Sequence, residues 1–320
     1  MNFSQLCPRG QKRELSIPVP GAEGIRAVAM EGEKPGRRLA VTTGMHGCEF
    51  VGIQAVREIL EELNPKNLAG GIVFLPLINP QGFYQGAKQV VPQDGKNLNR
   101  CFPGNPSGSI TERMAYALEH ELYGAVDFLL DLHGGDINEA MEPLAFFPVG
   151  AGEAVERQAR RAVQHLSIGY AVQSTAENGL YSYAAKCQVP ALLVERGGRG
   201  SWSRQEVDAC KKNIREMLDF LEILPGECAE KPPVEIARAW YEQAMAPGFW
   251  YCKKRPGERV RKGEVLGELR NAKGGLVQAV CAQADGVALY LTQTLGVQKG
   301  DALIAYGQQK DATAAQRPHL

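Results

Sequence analysis

Two short segments carry side chains that can bind a metal ion. In TTGMHGCEF, residues 42–50, His46 and Glu49 stand three positions apart, directly after an apolar run. In VDFLLDLHGG, residues 126–135, His133 follows a second apolar run. Two imidazoles and a carboxylate, with one coordination position left for water, make a catalytic zinc site. His46, Glu49 and His133 are therefore candidate ligands of one zinc ion per chain.

A second carboxylate stands after a third apolar run. Glu195 ends the run in PALLVERGGRG, residues 190–200. A carboxylate that does not bind the metal can act as general base on the bound water. Zinc lowers the pKa of that water from ~15.7 towards ~7, so a carboxylate can complete its activation at neutral pH. The sequence predicts Glu195 as this base.

Each of these residues also has an ordinary structural interpretation. His46 and Glu49 can be neighbours on a helix surface that serve only solubility. His133 can be a hydrogen-bonded core histidine, and Glu195 can pair with the adjacent Arg196. Only their joint placement at one edge of a sheet favours the metal interpretation.

The elements that would position these residues alternate between apolar runs and segments of helical period. Strands are predicted at 38–44, 71–82, 126–135 and 190–200, and helices at 49–63, 111–124, 152–166 and 203–224. This alternation indicates an α/β fold with a mixed, mainly parallel central sheet and helices on both faces. Ligands of such sheets bind at the carboxyl ends of the strands, which is where the four candidates and Asn79 fall.

The pattern changes after the charged, proline-bearing segment GECAEKPPV at 226–234. We predict an α/β domain with the candidate zinc site at 1–228, a linker at 229–240, a small all-β module at 241–308 and a mobile tail at 309–320. Within the module, glycine turns separate short strand-like pieces such as RPGERVRKGEVLGEL and LGVQKGDALIAYG.

The overall charge is balanced. Lys+Arg and Asp+Glu both number 36, so the formal net charge is zero, which argues against a nucleic-acid or membrane-surface partner. No apolar run approaches the ~20 residues that span a bilayer, and the first residues do not read as a signal peptide. Eight cysteines without a Cys-x-x-Cys pair indicate reduced thiols. We expect a cytoplasmic protein that acts on a small molecule and can form a homo-oligomer.

Five motifs in order resemble the zinc-dependent succinylglutamate desuccinylase/aspartoacylase family, which is related to the zinc carboxypeptidases. They are GMHGCE, INPQGF, KNLNRCFPG, DLHGG and LLVERG. The resemblance implies that His46, Glu49 and His133 bind zinc. It also implies that Glu195 activates water and then passes a proton to the leaving amine.

The same resemblance implies that Asn99 and Arg100 bind a substrate carboxylate, for which the guanidinium fork is suited. A surface arginine is the alternative for Arg100. Relatives usually carry a further arginine upstream that helps to stabilise the oxyanion, but YQGAKQVVPQDG has none and Lys88 is the nearest cation. We predict that Lys88 takes this role. Asp131, two residues before His133, is predicted either to orient that histidine or to pair within the sheet.

The function implied by the resemblance is zinc-dependent hydrolysis of the amide bond of an N-acyl amino acid or a similar small carboxylate. N-succinylglutamate, N-acetylaspartate and N-acetyl-diaminobutyrate are substrates of the implied kind, and the motifs do not rank them. Two alternatives remain, a metallocarboxypeptidase that acts on peptides and a non-catalytic carrier or binding protein that uses the β module.

The module itself resembles the barrel-sandwich domain of biotinyl and lipoyl carriers. A carrier needs a modifiable lysine at a hairpin tip, commonly flanked by methionine or an acidic residue. Lys273 lies near such a tip, but in NAKGGL it has neither flank. We therefore expect a structural module, an oligomer-forming module or one that caps the active site.

Overall fold

The computed structural model describes residues 3–226 and 228–310. Its helices are α1 (Phe3–Leu6), α2 (Phe50–Glu62), α3 (Pro80–Gln85), α4 (Ile110–Leu122), α5 (Glu153–Gln164), α6 (Leu180–Lys186) and α7 (Arg204–Phe220), with short 3-10 turns at Pro65–Asn67, Leu98–Arg100 and Tyr123–Ala125. Its strands are β1 (Gln11–Ile17), β2 (Ile25–Glu31), β3 (Lys34–Thr43), β4 (Ala69–Leu75), β5 (Phe128–His133), β6 (Glu139–Met141), β7 (Leu144–Pro148), β8 (Tyr170–Ser174), β9 (Ala191–Glu195), β10 (Val234–Gln243), β11 (Gly248–Cys252), β12 (Arg259–Val260), β13 (Val265–Arg270), β14 (Leu276–Cys281), β15 (Gly286–Thr292), β16 (Gly296–Val297) and β17 (Ala302–Gln309).

A large mixed sheet forms the centre of the molecule. Its order is β1-β2-β4-β3-β5-β9-β7-β8-β10-β17-β15-β12, with β6 paired to β15. Strands β4, β3, β5 and β9 are mutually parallel, whereas β7 pairs antiparallel with β9. The buried side chains of α2, α5 and α7 pack on one face of this sheet, and those of α4 and α6 on the other. The prediction of a mixed, mainly parallel sheet with helices on both faces is confirmed.

Strands β3, β4, β5 and β9 are the ones that the apolar runs predicted, whereas β7 and β8, farther along the sheet, were not predicted. All six residues of β5 are buried, as is expected for a strand covered by helices on both faces. The N-terminal hairpin β1–β2 was not predicted, because most residues of β1 are exposed and its sequence QKRELSI contains few apolar residues. None of the helices in the described ranges is long and apolar enough to cross a membrane.

The boundary between the two predicted domains differs from the expectation. Residues 234–240, placed in the linker, belong to strand β10, which pairs in parallel with β8 and antiparallel with β17. The proline pair in EKPPV suggested a linker, but it only precedes the strand. One sheet therefore continues from the α/β part into the module. From residue 311 onwards, the predicted mobile tail lies outside the described residues.

The C-terminal module is a two-layer β structure. An antiparallel sheet of order β14-β13-β11-β16 packs on the strands that extend the central sheet. Their shared core includes Trp250, Leu266, Leu269, Ile304 and Tyr306. Strand β15 also pairs with β6, a short strand of the α/β part. The module is thus joined to the α/β part by two separate strand pairings.

Candidate active site

The candidate metal ligands meet because three neighbouring parallel strands end at the same edge. His133 is the last residue of β5, and Glu195, the last residue of β9, is its partner in the register of the two strands. His46 lies in the loop after β3, on the other side of β5. Glu49 occupies the N-cap position of α2. The carboxyl ends of β3, β5 and β9 therefore bring all four side chains to one place.

The loop that carries His46 is held by the Asn-Pro motif. The Asn79 side-chain amide donates to the backbone oxygens of Met45 at 3.3 Å and Val90 at 3.0 Å, while its Oδ1 accepts from the Gly82 amide at 2.9 Å. A Cβ at Gly47 would come within 2.1 Å of the Gly82 backbone, so only glycine fits between the two loops. Asn79 thus fixes the position of His46 without contacting it.

His46, Glu49 and His133 form a buried cluster. Glu49 Oε1 lies 2.7 Å from His46 Nδ1, and Glu49 Oε2 lies 2.8 Å from His133 Nδ1. Candidate ligand atoms of the three residues all lie within 4.8 Å of one another. The backbone amide of Gly134 donates to Glu49 Oε2 at 3.2 Å, which fixes the carboxylate further. The structure brings together all three of the ligands that the sequence predicted.

In each imidazole, the Nε2 atom lies within hydrogen-bond distance of a side-chain oxygen. His46 Nε2 lies 3.1 Å from Asn97 Oδ1, and His133 Nε2 lies 3.2 Å from Asp131 Oδ2. Asp131 is itself held by the Thr42 hydroxyl, which donates to Oδ1 at 2.7 Å. With a metal bound, protons on the two Nε2 atoms, donated to Asn97 and Asp131, would leave the Nδ1 lone pairs free to bind it. Hydrogen bonds to neighbouring residues thus orient both imidazoles and the carboxylate. Two imidazole nitrogens and a carboxylate oxygen are a donor set that fits zinc.

The charges agree with this assignment. Burial acts to raise the pKa of Glu49, but the adjacent imidazoles of His46 and His133 outweigh burial and lower the pKa to about 2. Glu49 is therefore ionised at neutral pH, as a metal ligand must be.

The predicted base has an oxygen without a protein partner. Glu195 Oε2 is buried and accepts no hydrogen bond from any described residue. Burial, together with the charge of Glu49, raises the pKa of Glu195 well above its ordinary value. An unbonded carboxylate oxygen beside the cluster is what a proton acceptor for water requires.

The alternative that Glu195 pairs with Arg196 is wrong. Arg196 turns away into the protein, where Nε donates to Asn213 Oδ1 at 2.8 Å and NH1 to Glu206 Oε2 at 3.1 Å. Its backbone amide donates to His133 O at 3.1 Å. Arg196 therefore anchors the end of β9 and leaves Glu195 Oε2 without a partner among the described residues.

A cavity of about 960 Å³ opens over the cluster. Asn99, Arg100 and Lys88 all line it. Asn99 is buried, and its Oδ1 accepts from the Leu180 amide at 2.9 Å. This hydrogen bond connects Asn99 to the start of α6. The exposed Arg100 donates to Asn99 O at 2.7 Å. Lys88 Nζ lies 3.5 Å from Asp136 Oδ2, and its side chain remains 42% exposed.

Sequence reasoning missed several residues of the cavity wall. Asn97 was within a quoted motif, and the repeated asparagine of KNLNR was the available signal. Glu139, Tyr241 and Tyr290 also line the cavity. No local signal indicated Tyr241 or Tyr290, because they come from β10 and β15, distant in sequence from the metal cluster.

The contact between His133 and Asp131 leads to a prediction about metal affinity. We expect Asp131→Asn to weaken zinc binding by about 10–100-fold, because an amide holds the imidazole proton less strongly than a carboxylate does. Competition with a chromophoric chelator measures this directly. Asp127→Asn, in the segment before β5, is the control and should bind zinc as the parent does. Equal affinities of parent and Asp131→Asn would assign Asp131 to pairing within the sheet.

Comparison with known proteins gives a family match. Residues 35–221, more than half of the chain, match the model of the succinylglutamate desuccinylase/aspartoacylase catalytic domain. An N-alpha-acetyl-L-2,4-diaminobutyric acid deacetylase of Halomonas elongata is 27% identical over 306 residues, which cover 90% of this chain and 89% of that protein.

Two solved structures share the fold. A succinylglutamate desuccinylase/aspartoacylase from Rhodobacter sphaeroides superposes with a TM-score of 0.85 at 21% identity, over 97% of this chain and 98% of that one. The product-bound ectoine utilization protein EutE (DoeB) from Ruegeria pomeroyi gives a TM-score of 0.83 at 22% identity, over 92% and 94% of the two chains. The chain belongs to the succinylglutamate desuccinylase/aspartoacylase family.

Proposed function

We propose that this protein is a zinc-dependent deacylase that hydrolyses the amide bond of an N-acyl amino acid. The observation that supports this most directly is the cluster of His46, Glu49 and His133 beside the unbonded oxygen of Glu195, within one cavity. The deacetylase relative from Halomonas elongata supports the same reaction class.

His46, Glu49 and His133 would hold the metal. When bound, zinc supplies a Lewis acid for the amide carbonyl and lowers the pKa of water towards ~7. These two effects are what amide hydrolysis at neutral pH needs.

The protein's own groups would carry the proton and the substrate. Glu195 takes a proton from the attacking water at Oε2 and returns it to the amide nitrogen as the C–N bond breaks. The products are the acyl carboxylate and the free amine, so atoms and charge balance. Arg100, exposed on the same cavity wall, binds the carboxylate of the amino acid.

The two alternatives have less support. An extended peptide needs an open groove, whereas here β10 and β15 contribute residues to the cavity wall above the cluster. A carrier needs a modifiable lysine, commonly flanked by methionine or an acidic residue, and Lys273, in the turn between β13 and β14, has neither flank. We therefore assign the module to enclosure of the active site.

A substrate screen tests the proposal. Zinc-loaded protein is incubated with N-acetyl and N-succinyl derivatives of the common amino acids and of diamino acids, and released acid and amine are measured by chromatography. We expect some of these N-acyl amino acids to be hydrolysed. Peptides that test for carboxypeptidase activity should not be cleaved. Release of carboxyl-terminal residues from peptides would instead establish the carboxypeptidase alternative.

The proposed oxyanion role of Lys88 gives a separate prediction. We expect Lys88→Met to lower kcat at least about tenfold with a small change in KM, because its positive charge would act mainly on the transition state. Lys186→Met removes a surface lysine that pairs with Glu177, and should behave as the parent. Equal kcat values for Lys88→Met and the parent would exclude the role.

A further inference from the structure

The cavity wall carries a carboxylate that the proposed mechanism does not use. Glu139 is half-buried, and its Oε2 accepts from the Asp136 amide at 3.1 Å. Within residues 3–226 and 228–310, its side chain forms no ion pair. Burial raises the pKa of Glu139, and Lys88 is the nearby cation that opposes this effect. A partly buried carboxylate without an ion pair, facing a substrate cavity, is a candidate binding group for a cation.

The C-terminal module helps to fix the backbone at Glu139. Glu139 is the first residue of β6, and its partner on the module strand β15 is Thr292. The same pairing sets Tyr290 opposite Met141, so Tyr290 and Glu139 lie near each other at the cavity. The Arg199 amide donates to Glu139 O at 2.9 Å from the other side. The position of Glu139 is therefore fixed by backbone contacts that do not involve its carboxylate.

The ring of Tyr290 lies near Glu139 at the cavity, and the ring of Tyr241 is its neighbour. The ring centroids of Tyr241 and Tyr290 lie 6.1 Å apart. Burial raises the pKa of Tyr290 well above its ordinary value; Tyr241, Glu139 and Glu195 reinforce this effect, and Arg100 opposes it. Burial also raises the pKa of Tyr241 to about 12. Neutral aromatic rings next to a carboxylate are favourable surroundings for an ammonium group.

The cations of the cavity are poorly placed for a substrate with several carboxylates. Lys88 faces the buried Asp136, and the Arg238 guanidinium lies 4.9 Å from the ring centroid of Trp240. Arg100 is left to bind one substrate carboxylate. An N-succinyl dicarboxylic acid carries three carboxylates, and Glu139 would repel the additional ones.

We propose that Glu139, with Tyr290 beside it, binds the side-chain ammonium of the substrate, so that the substrate is an N-acyl diamino acid. This inference rests on the deacylase function proposed for the same cavity. In this cavity, Arg100 would bind the α-carboxylate of the substrate and Glu139 its side-chain ammonium.

Three substrates of nearly equal size test the inference. They are the α-N-acetyl derivatives of 2,4-diaminobutyrate, norvaline and glutamate, whose side chains end in an ammonium, a methyl group and a carboxylate. Acetate release gives kcat/KM for each. We expect the ammonium substrate to exceed norvaline by at least about tenfold, the size of a hydrogen bond to a charged group, and to exceed glutamate by more. A glutamate derivative that is hydrolysed as well as the ammonium substrate would overturn the inference.

Two variants connect the preference to Glu139. Glu139→Gln keeps an acceptor for the Asp136 amide but removes the charge, and we expect the ratio of kcat/KM between the ammonium and norvaline substrates to fall to about one. Glu242→Gln is the matched control, because Glu242 also lines the cavity but accepts hydrogen bonds from Tyr306 and Gln283. Its ratio should equal that of the parent. A ratio that survives in Glu139→Gln would refute the assignment.

A binding measurement separates this inference from the proposed function. If neither these three substrates nor any N-acetyl or N-succinyl derivative of the screen is hydrolysed, the deacylase proposal fails. Calorimetry of zinc-loaded protein with free 2,4-diaminobutyrate and free norvaline then decides the inference. Tighter binding of the diamino acid, lost in Glu139→Gln, supports the cation site, and equal binding contradicts it.

Discussion

Glu195→Gln should abolish most of the hydrolytic activity while the zinc content stays at about one ion per chain. The carboxylate is outside the ligand cluster, and its Oε2 has no hydrogen-bond partner in the described part of the chain. An amide cannot take a proton from water, so we expect kcat/KM to fall by about 10²–10⁴-fold, the usual contribution of a general base. Glutamine has nearly the same volume, so the stability of the fold should change little.

Two measurements on one protein preparation check this result. Elemental analysis gives the zinc content, and acid or amine release from the best substrate of the screen gives the activity. Glu177→Gln removes a carboxylate from an exposed ion pair with Lys186, and should keep both values. Parent-like hydrolysis by Glu195→Gln would contradict the base role, and loss of zinc would make Glu195 a ligand.

The cluster of candidate metal ligands could be predicted from sequence because its residues follow strands with strong apolar signals. His133 and Glu195 are the last residues of β5 and β9. The buried apolar runs FLLDL and ALLV of these strands predict their positions. Parallel strands present their carboxyl ends at one edge, so the order of motifs along the chain indicates proximity in space. The placement of His46 and Glu49 could be predicted from the local pattern alone, because they lie between a strand and the helix that follows it.

The rest of the cavity wall could not be predicted in the same way. Tyr290 reaches the cavity through the pairing of β15 with β6, a contact between segments about 150 residues apart that no local period encodes. Glu139 lies after the glycines that end the motif DLHGG, as the first residue of the short strand β6, which depends on that same pairing. The assignment of 229–240 as a linker failed for a related reason, since β10 is specified by its partners β8 and β17.

His133→Ala should remove zinc binding, and this prediction does not depend on knowing the substrate. His133 is 4% exposed and supplies one of the three donor atoms, so the variant retains only His46 and Glu49. A ligand that binds the folded state at a concentration 1,000 times its Kd stabilises that state by about 4 kcal/mol. We expect zinc to raise the Tm of the parent by several degrees and to leave the Tm of His133→Ala unchanged.

The variant will also be less stable without zinc, because Asp131 and Glu49 lose a buried partner, each at a cost of about 1–3 kcal/mol. The informative quantity is therefore the shift in Tm on adding zinc, measured within each protein. His120→Ala is the control, since His120 lies on the exposed face of α4, where its ring stacks on Tyr116 of the same helix, away from the candidate ligands. Its zinc-dependent shift should equal that of the parent. A full shift in His133→Ala would mean that zinc does not need this cluster. The hydrolase mechanism would then lose its basis, because the described residues contain no other group of three or more such ligating side chains.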